Sequence, residues 1–180
     1  LKEIISAYKN GTDFSIYMEE DGLIHAGSGL DQITWMDVRV GDWVATPRHG
    51  KPVEINALWY NALKVMEELA RRYEGDDVLV TGGSGSEVSV AGAATGLDSH
   101  VMTSHDYAAL AELVKASFCR KFWWEEKGCL YDVVDGDEPD DHLRPNQIYA
   151  VSLPFTMLSK EQEAKIVAFV KKYLYIGCGL

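Results

Sequence analysis

Apolar residues recur at three- and four-residue spacing in two long stretches of the chain, and this spacing is typical of amphipathic helices. Pro52 suits the first position of one such helix, because the N–H that proline lacks would have no helical partner there. The apolar positions that follow it are Ile55, Leu58, Trp59, Ala62, Met66, Leu69 and Tyr73. The pattern predicts a helix from residue 52 to residue 73, with Trp59 in the core.

The second long stretch covers residues 104–124 and has its own apolar stripe. The stripe consists of Tyr107, Leu110, Val114, Phe118 and Phe122. Shorter helices are predicted at residues 2–10 and from Pro145, and Pro154 would end the latter because proline cannot continue a helix.

A final helix is predicted after Ser159, since Ser159 and Gln162 have the spacing of a capping box. We expect it to end near residue 175. The positions expected to face inward are Val167, Val170 and Leu174. These patterns together predict an all-α fold, with short extended pieces in the loops.

Two loop regions, residues 11–50 and 125–144, are rich in polar and aromatic residues, whereas residues 74–103 form a low-complexity connection rich in Gly, Ser and Ala. Successive helices joined by modest loops usually pack antiparallel. The two polar loops should then lie at one end of the helix pair, and the low-complexity connection should lie at the other end. We therefore expect a functional site where residues 11–50 meet residues 125–144.

The formal net charge of −11 over 180 residues argues against a nucleic-acid partner, because phosphate binding needs clustered Lys and Arg. It also disfavours binding to an anionic membrane surface. The sequence has no run of about 18 apolar residues of the kind that spans a bilayer. Cys119, Cys129 and Cys178 show no C-x-x-C spacing, so we expect free thiols in a cytoplasmic protein.

The predicted rim combines aromatic residues with carboxylates, which is typical of sugar sites. Sugar rings stack on aromatic planes, and sugar hydroxyls form hydrogen bonds with Asp, Glu, Asn and Arg. The rim residues are Trp35, Asp37, Asp42, Trp43, Arg48, Glu54, Asp132, Asp135, Asp137, Arg144 and Asn146. Glycoside hydrolysis requires one protonated carboxyl group, and apolar surroundings favour that form. Asp37 is the candidate, because it stands between Met36 and Val38 and next to Trp35.

The aromatic and helix-end candidates have two interpretations each. Trp35 and Trp43 either contact the substrate or pack within the rim. Glu54, at the start of a helix, either binds sugar or interacts with the helix dipole. Arg144 and Asn146 precede a helix, so capping competes with substrate binding.

The acidic loop after residue 130 is also ambiguous. Asp132 and Asp135 either position sugar hydroxyls or form turns around the stretch "DGDEPDD". Residues 135–141 have Gly and Pro at the wrong places for an EF-hand loop, so no calcium site is expected. No other metal and no cofactor are expected, because the sequence contains no ordered set of ligands.

Four motifs resemble, in the same order, those of the glucosidase half of glycogen debranching enzymes, and in particular of prokaryotic amylo-α-1,6-glucosidases. The motifs are "TWMD", "GDWVATPRHGKPVEINALWYNAL", "KFWWEEKGCLYDVVDG" and "LRPNQIYAVSLP". The resemblance covers most of residues 20–175, apart from the Gly/Ser-rich connection. Several motifs in the right order are much more specific than one short pattern.

The resemblance implies a domain that is an (α/α) six-hairpin toroid, with twelve helices in two rings and the active site at one end. It implies hydrolysis of α-1,6-linked glucose at the branch stubs of glycogen, with inversion. The Asp of "TWMD", here Asp37, would be the general acid. The general base would be a Glu downstream of "RPNQ" and beyond residue 180. We therefore expect residues 1–180 to be an incomplete part of one toroid domain that is inactive alone.

Two other functions stay open at this stage. One is a non-catalytic module that binds glucan through the same aromatic residues, and the other is a related toroid glycosidase, for example a trehalase-like enzyme, with a different sugar substrate. The expected partner is glycogen or another branched α-glucan. Helices of an incomplete toroid would expose apolar faces, so we also expect self-association.

Overall fold

Two long helices that pack against each other form the centre of the fold. The computed structural model describes residues 1–73, 102–134 and 140–179. Its helices are α1 (Lys2–Asn10), α2 (Val53–Tyr73), α3 (Ser104–Phe122), α4 (Tyr149–Ser152) and α5 (Lys160–Tyr173), and a 3₁₀ helix (Pro145–Ile148) leads into α4. These helices confirm the elements that the apolar spacing predicts. The predicted low-complexity connection lies outside the described residues, except for its last two positions.

Short strands connect the helices. Those of the described ranges are β1 (Tyr17–Met18), β2 (Ile24–His25), β3 (Arg39–Val40), β4 (Trp43–Val44), β5 (Lys51–Pro52), β6 (Trp123–Trp124), β7 (Cys129–Leu130) and β8 (Val133–Val134). They form antiparallel pairs, β1 with β2, β3 with β4, β5 with β8 and β6 with β7. The β5–β8 pair joins the start of α2 to the segment after α3, with Pro52 opposite Val133.

The core lies between α2 and α3. Its buried side chains include Ala57, Tyr60, Leu63 and Met66 of α2 and Tyr107, Ala111, Val114, Phe118 and Phe122 of α3. Spacing of three or four residues places each set on one helix face. Trp59 belongs to the same core, as predicted, because it is 5% exposed and its Nε1–H donates to the carbonyl of Gly22.

Capping boxes define the starts of α3 and α5. The Thr103 side chain accepts a hydrogen bond from the N–H of Asp106, whose carboxylate accepts one from the N–H of Thr103. Ser159 and Gln162 make the same reciprocal pair before α5, which confirms the sequence prediction. Each box satisfies two N–H groups that a helix leaves without partners.

The start of α2 and the end of α3 lie at the same end of the helix pair. The N–H of Val53 donates to the carbonyl of Asp132 (2.9 Å), and the N–H of Tyr131 donates to the carbonyl of Phe122 (3.0 Å). Both helix ends are therefore bound to one short segment, and α2 and α3 run antiparallel. We call this end of the helix pair, where the loop before α2 meets the loop after α3, the rim.

Two helix boundaries differ slightly from the sequence prediction. Pro52 belongs to β5 and α2 begins one residue later, because the segment before the helix pairs with β8. Trp123 and Trp124 leave α3 to form β6, where they face Leu130 and Cys129 of β7. In both places a partner strand from elsewhere in the chain ends the helical geometry.

One predicted core position on α5 is wrong. Val167 is 49% exposed, whereas Ile166 and Val170 are buried. Ile166 and Val170 are four residues apart and share the face that packs inward. Val167 is about 100° around the helix from Ile166, because an α-helix has 3.6 residues per turn, and this places it outside the stripe.

Apolar side chains also face outward from α1 and α2. They include Ile4, Tyr8, Leu58 and Val65, each at least 37% exposed. The expected self-association through such faces stays a prediction. Among the described residues, none of the helices is both long and apolar enough to cross a membrane.

We predict that Phe118→Ala lowers the free energy of unfolding by about 3–5 kcal/mol, because it removes a fully buried ring from the core. Phe118 is 0% exposed and stacks on Phe122 with the ring centroids 4.5 Å apart. Leu113→Ala is the control, because Leu113 lies on the same helix and is 43% exposed. Urea unfolding measures both variants. Equal losses of stability would contradict the placement of the core between α2 and α3.

Candidate functional site

A buried arginine, Arg48, lies at the centre of the rim. It belongs to the loop before α2 and is 1% exposed. Its guanidinium donates to both carboxylate oxygens of Glu54 in the first turn of α2, with 2.6 Å from Nη2 to Oε2. It also donates to both carboxylate oxygens of Asp132, with 2.8 Å from Nε to Oδ2 and 3.1 Å from Nη2 to Oδ1. Arg48 therefore joins α2 to the segment after α3.

The buried charge of Arg48 is compensated by its two carboxylate partners. Burial by itself lowers the pKa of the Arg48 guanidinium, but Glu54 and Asp132 outweigh burial and raise the pKa above its ordinary value. A charge can be buried in a protein only when it is paired and hydrogen-bonded. Arg48, Glu54 and Asp132 therefore form one electrostatic unit that needs all three members.

A second arginine, Arg144, binds Asp132 from the loop after β8. Its Nη1 lies 2.6 Å from Oδ2 of Asp132 and 2.7 Å from Oδ2 of Asp140. Burial by itself raises the pKa of the Asp140 carboxyl, but hydrogen bonds from Arg144 and His142 hold the pKa below its ordinary value of 3.8. The five charged side chains of this ion cluster are Arg48, Glu54, Asp132, Asp140 and Arg144.

Asn146 connects the ion cluster to the segment that carries Asp37. The Asn146 side chain donates from Nδ2 to Oδ1 of Asp132 (2.8 Å), and its Oδ1 accepts a hydrogen bond from Nε1 of Trp35 (2.9 Å). Nδ2 also lies 3.3 Å from the sulfur of Met36. Together with the contact between Arg48 and Asp132, these bonds show that the two polar loops meet at one end of the helix pair, as the sequence predicts.

Asp37 is fully buried and closes a turn within its own segment. Its Oδ2 accepts hydrogen bonds from the main-chain N–H groups of Ile33 (2.8 Å) and Thr34 (2.9 Å). The Thr34 hydroxyl accepts a further bond from the N–H of Met36. These bonds fix the backbone on both sides of Trp35. The hypothesis that aromatic residues keep Asp37 protonated is not tested by these contacts and stays a prediction.

Trp35 and Trp43 present their indole rings to solvent. Their exposed fractions are 65% and 62%, so the interpretation that both are packed within the rim is wrong. Trp43 lies in β4 opposite Val40 of β3, which is 67% exposed. An exposed indole face beside hydrogen-bonding groups is suited to stacking on a sugar ring.

Four candidates from the sequence belong to one hydrogen-bonded set, namely Glu54, Asp132, Arg144 and Asn146. Their assignment to substrate binding is not tested by these contacts. The 3₁₀ helix after Arg144 has no side-chain cap, so capping does not explain Arg144. Asp135 lies outside the described residues, and Asp42 is fully solvent-exposed at 97% of its side chain.

Sequence analysis gave no role to two members of the ion cluster. Arg48 was placed at the rim without a partner, because its contact with Asp132 spans 84 positions and leaves no local pattern. Asp140 was not singled out. Its four-residue spacing from Arg144 is the one local signal that could have indicated the ion pair.

Asp140, Asp141 and His142 are the described residues whose ligand atoms are close enough to hold a metal ion, within 4.8 Å of one another. Asp140 is already bound by Arg144 and by the main-chain N–H of His142. The position of the Asp140 carboxylate is therefore explained by its bonds to Arg144 and His142, at the outer side of the ion cluster.

In a comparison with known protein families, one family model matches the whole of the sequence. The family model described as amylo-alpha-1,6-glucosidase matches residues 1–180. The match extends beyond the region covered by the four motifs and includes every segment that forms the rim. A search of curated proteins found no significant match.

We predict that the free energy of unfolding decreases as the pH falls below about 4, in part through Asp140. The folded-state pKa of Asp140 is below its ordinary value of 3.8. Its contribution is therefore fully present above that value and is lost as the pH falls through the folded-state pKa. Asp140→Asn should flatten this part of the profile in urea unfolding measured at a series of acidic pH values.

The control is Asp141→Asn, because Asp141 is the exposed neighbour in the same loop. It should keep the acid-induced loss of stability of the unmodified protein. The same loss of stability in Asp140→Asn would show that the Arg144 and His142 hydrogen bonds do not stabilise the ionised carboxylate.

Proposed function

The chain belongs to the amylo-alpha-1,6-glucosidase family, and from this premise we propose that it is part of an enzyme that removes α-1,6-linked glucose from the branch stubs of glycogen. Glycogen or another branched α-glucan is then the substrate. The observation that carries the proposal is the hydrogen bond from Trp35 to Asn146, because it holds the Asp37 segment against the ion cluster. An exposed aromatic ring, a carboxyl group and a polar rim are thereby placed together.

The proposed reaction is an inverting hydrolysis with Asp37 as the general acid. In such a reaction the acid donates a proton to the leaving glycosidic oxygen. A second carboxylate takes a proton from the water that attacks the opposite face of the sugar, so the configuration at the anomeric carbon is inverted. The two carboxyl groups of inverting pairs are about 6.5–9.5 Å apart, which leaves room for the water.

We propose that the general base is neither Glu54 nor Asp132 but a glutamate downstream of "RPNQ". Two buried carboxylates of the rim, Glu54 and Asp132, are both bound by Arg48. Both oxygens of each carboxylate already accept hydrogen bonds from the Arg48 guanidinium, so neither group has an oxygen free of that guanidinium for the attacking water. This argues against either group as the base, and the resemblance of the motifs supports a glutamate downstream of "RPNQ" instead.

Asp37 has to leave its turn in order to donate a proton. In the present conformation its carboxylate is bound to the N–H groups of Ile33 and Thr34 and has no exposed surface. The proposal therefore includes a rotation of the Asp37 side chain when substrate binds beside Trp35. A catalytic hydrogen bond that forms only in the substrate complex is common in enzymes.

The proposed architecture of the domain is an (α/α) six-hairpin toroid. In its support, α2 and α3 are antiparallel, and the buried ion cluster lies at one end of the pair. Leu58 and Val65 of α2 and Ile4 of α1 are apolar and more than 40% exposed. Adjacent helices of a ring would cover such positions.

A glucan-binding role without catalysis is the second candidate, and one observation favours it. Asp37, Glu54 and Asp132 all have their carboxylates engaged by N–H donors, whereas the rings of Trp35 and Trp43 are open. Binding through stacked rings needs no free carboxyl group.

We predict that Asp37→Asn lowers the release of free glucose from a limit dextrin by at least about 100-fold in the intact protein, because a general acid contributes about 10²–10⁴-fold. Asparagine keeps one oxygen that can accept the N–H groups of the turn, so binding of the dextrin should change little. Glucose release and dextrin binding are measured on the same preparation.

Asp13→Asn is the control, since Asp13 is an exposed aspartate that is not among the rim residues named above. It should retain the turnover of the unmodified protein. Unchanged turnover in Asp37→Asn would remove Asp37 from the mechanism. If the unmodified protein binds the dextrin and releases no glucose, the glucan-binding role replaces the hydrolase.

We predict that Trp35→Ala weakens binding of the limit dextrin by about tenfold, because an aromatic contact is worth about 0.5–1.5 kcal/mol beyond the area it buries. Tyr73→Ala is the matched control. Tyr73 is an aromatic residue with 72% exposure, and it lies at the far end of α2, about 30 Å from the rim. Isothermal titration calorimetry measures both variants, and equal affinities would argue against a sugar surface at the rim.

A further inference from the structure

The side-chain amide of Asn146 is buried, and both its nitrogen and its oxygen form hydrogen bonds. Nδ2 donates to Asp132 and approaches the sulfur of Met36, and Oδ1 accepts from Nε1 of Trp35. The side chain is 1% exposed, so water does not compete for these contacts. Among the residues described, Asn146 is thus the bridge between an exposed indole and the ion cluster.

The chemistry of its two neighbours determines how the amide is oriented. The Asp132 carboxylate binds two arginines and acts as an acceptor, so it must face the Asn146 amino group. The indole Nε1–H of Trp35 can only donate, so it must face the Asn146 oxygen. A flipped amide would place oxygen against carboxylate and N–H against N–H. The ion cluster therefore fixes the direction in which Asn146 presents its acceptor.

The Trp35 indole is hydrogen-bonded at its Nε1 edge, and the rest of the ring is exposed to solvent. Its nitrogen is bound at 2.9 Å, yet the side chain is 65% exposed. Its backbone is fixed as well, because the turn that Asp37 closes includes Thr34 and Met36. A tryptophan side chain can adopt several staggered rotamers. Because the backbone of Trp35 is held by the turn and its Nε1–H is held by Asn146, one orientation of the indole ring is selected.

From these contacts we propose that Asn146 is a positioning residue, which sets the plane of the Trp35 indole for stacking on a sugar ring of the glucan. The inference rests on the proposed function, because it takes the glucan as the ligand of Trp35. It adds a connection between the buried ion cluster and the glucan. The Asp132 carboxylate orients the Asn146 amide, and the Asn146 amide orients the Trp35 ring. Pre-orienting a contact residue in this way reduces the entropy that is lost on binding.

The test uses the intact protein with Asn146→Leu, which keeps the branching of the side chain at Cγ and removes both the donor and the acceptor. Asn61→Leu is the matched control. Asn61 is also a buried asparagine, 8% exposed, and it binds the main-chain carbonyl and N–H of Phe155 at 2.8 and 2.9 Å. Loss of a buried amide lowers stability in both variants, but only Asn146→Leu releases Trp35.

Two readouts separate orientation from stability. The first is the solvent exchange of the indole N–H of Trp35 in NMR spectra, assigned by its absence in Trp35→Phe. It should become several-fold faster in Asn146→Leu and stay unchanged in Asn61→Leu. The second is the dissociation constant for a limit dextrin, which should rise about two- to tenfold in Asn146→Leu and stay constant in the control.

Trp35→Phe breaks the same hydrogen bond from the other side while it keeps an aromatic face and leaves Asn146 bound to Asp132. It should raise the dissociation constant by a similar factor, and adding Asn146→Leu to it should change the constant little further. This variant also serves if Asn146→Leu does not fold. Dextrin binding equal to that of the unmodified protein in Trp35→Phe would overturn the proposal.

The outcomes distinguish this inference from the proposed function. If Trp35→Ala weakens dextrin binding and Trp35→Phe does not, the sugar surface stands and the positioning role of Asn146 is wrong. If Trp35→Ala binds the dextrin normally, the sugar surface itself is wrong. If the Trp35 N–H exchanges at the same rate in Asn146→Leu as in the unmodified protein, the hydrogen bond does not hold the ring in solution.

Discussion

The guanidinium of Arg48 binds two carboxylates in a place that is closed to water, and the rest of the rim depends on this interaction. Glu54 comes from the first turn of α2, and Asp132 comes from the segment that follows α3. Removing one partner of a buried ion pair is costly, about 3–5 kcal/mol, because an uncompensated charge is left inside. The pairing thus fixes the register of α2 against the segment after α3, while the apolar core between the helices supplies the bulk of the packing.

A chain of hydrogen bonds connects this buried ion pair to the surface. Asp132 holds Arg144 and Asn146, and Asn146 holds the indole nitrogen of Trp35. The indole rings of Trp35 and Trp43 remain in solvent, although the polar groups behind Trp35 are almost fully enclosed. The rim therefore combines a buried, hydrogen-bonded interior with an open aromatic surface, and this combination supports the proposal that the rim binds a sugar chain.

The sequence predicted the parts of the fold that depend on local pattern. The α2 and α3 stripes, the Ser159 capping box and the meeting of the two polar loops all follow from spacing, capping chemistry and antiparallel packing. It did not predict the local hairpin that begins with the strand Trp123–Trp124, nor the contact of Arg48 with Asp132, which is 84 positions away. For Asp37 the flanking sequence suggested an aromatic environment, whereas its hydrogen-bond partners are N–H groups of its own turn. Backbone geometry of this kind leaves no trace in hydrophobic periodicity.

The 84 positions between Arg48 and Asp132 have a consequence for the order in which the protein folds. Closing so long a loop is entropically unfavourable until other contacts bring its ends together. The helices α2 and α3 lie inside that loop. When they dock against each other, they bring Arg48 and Asp132 closer together and reduce the entropy that remains to be lost. The guanidinium and its carboxylates can stay hydrated through the early stages and lose their water only in the last. We therefore expect the contacts of the rim to form after the two helices have docked, from groups that stay hydrated until then.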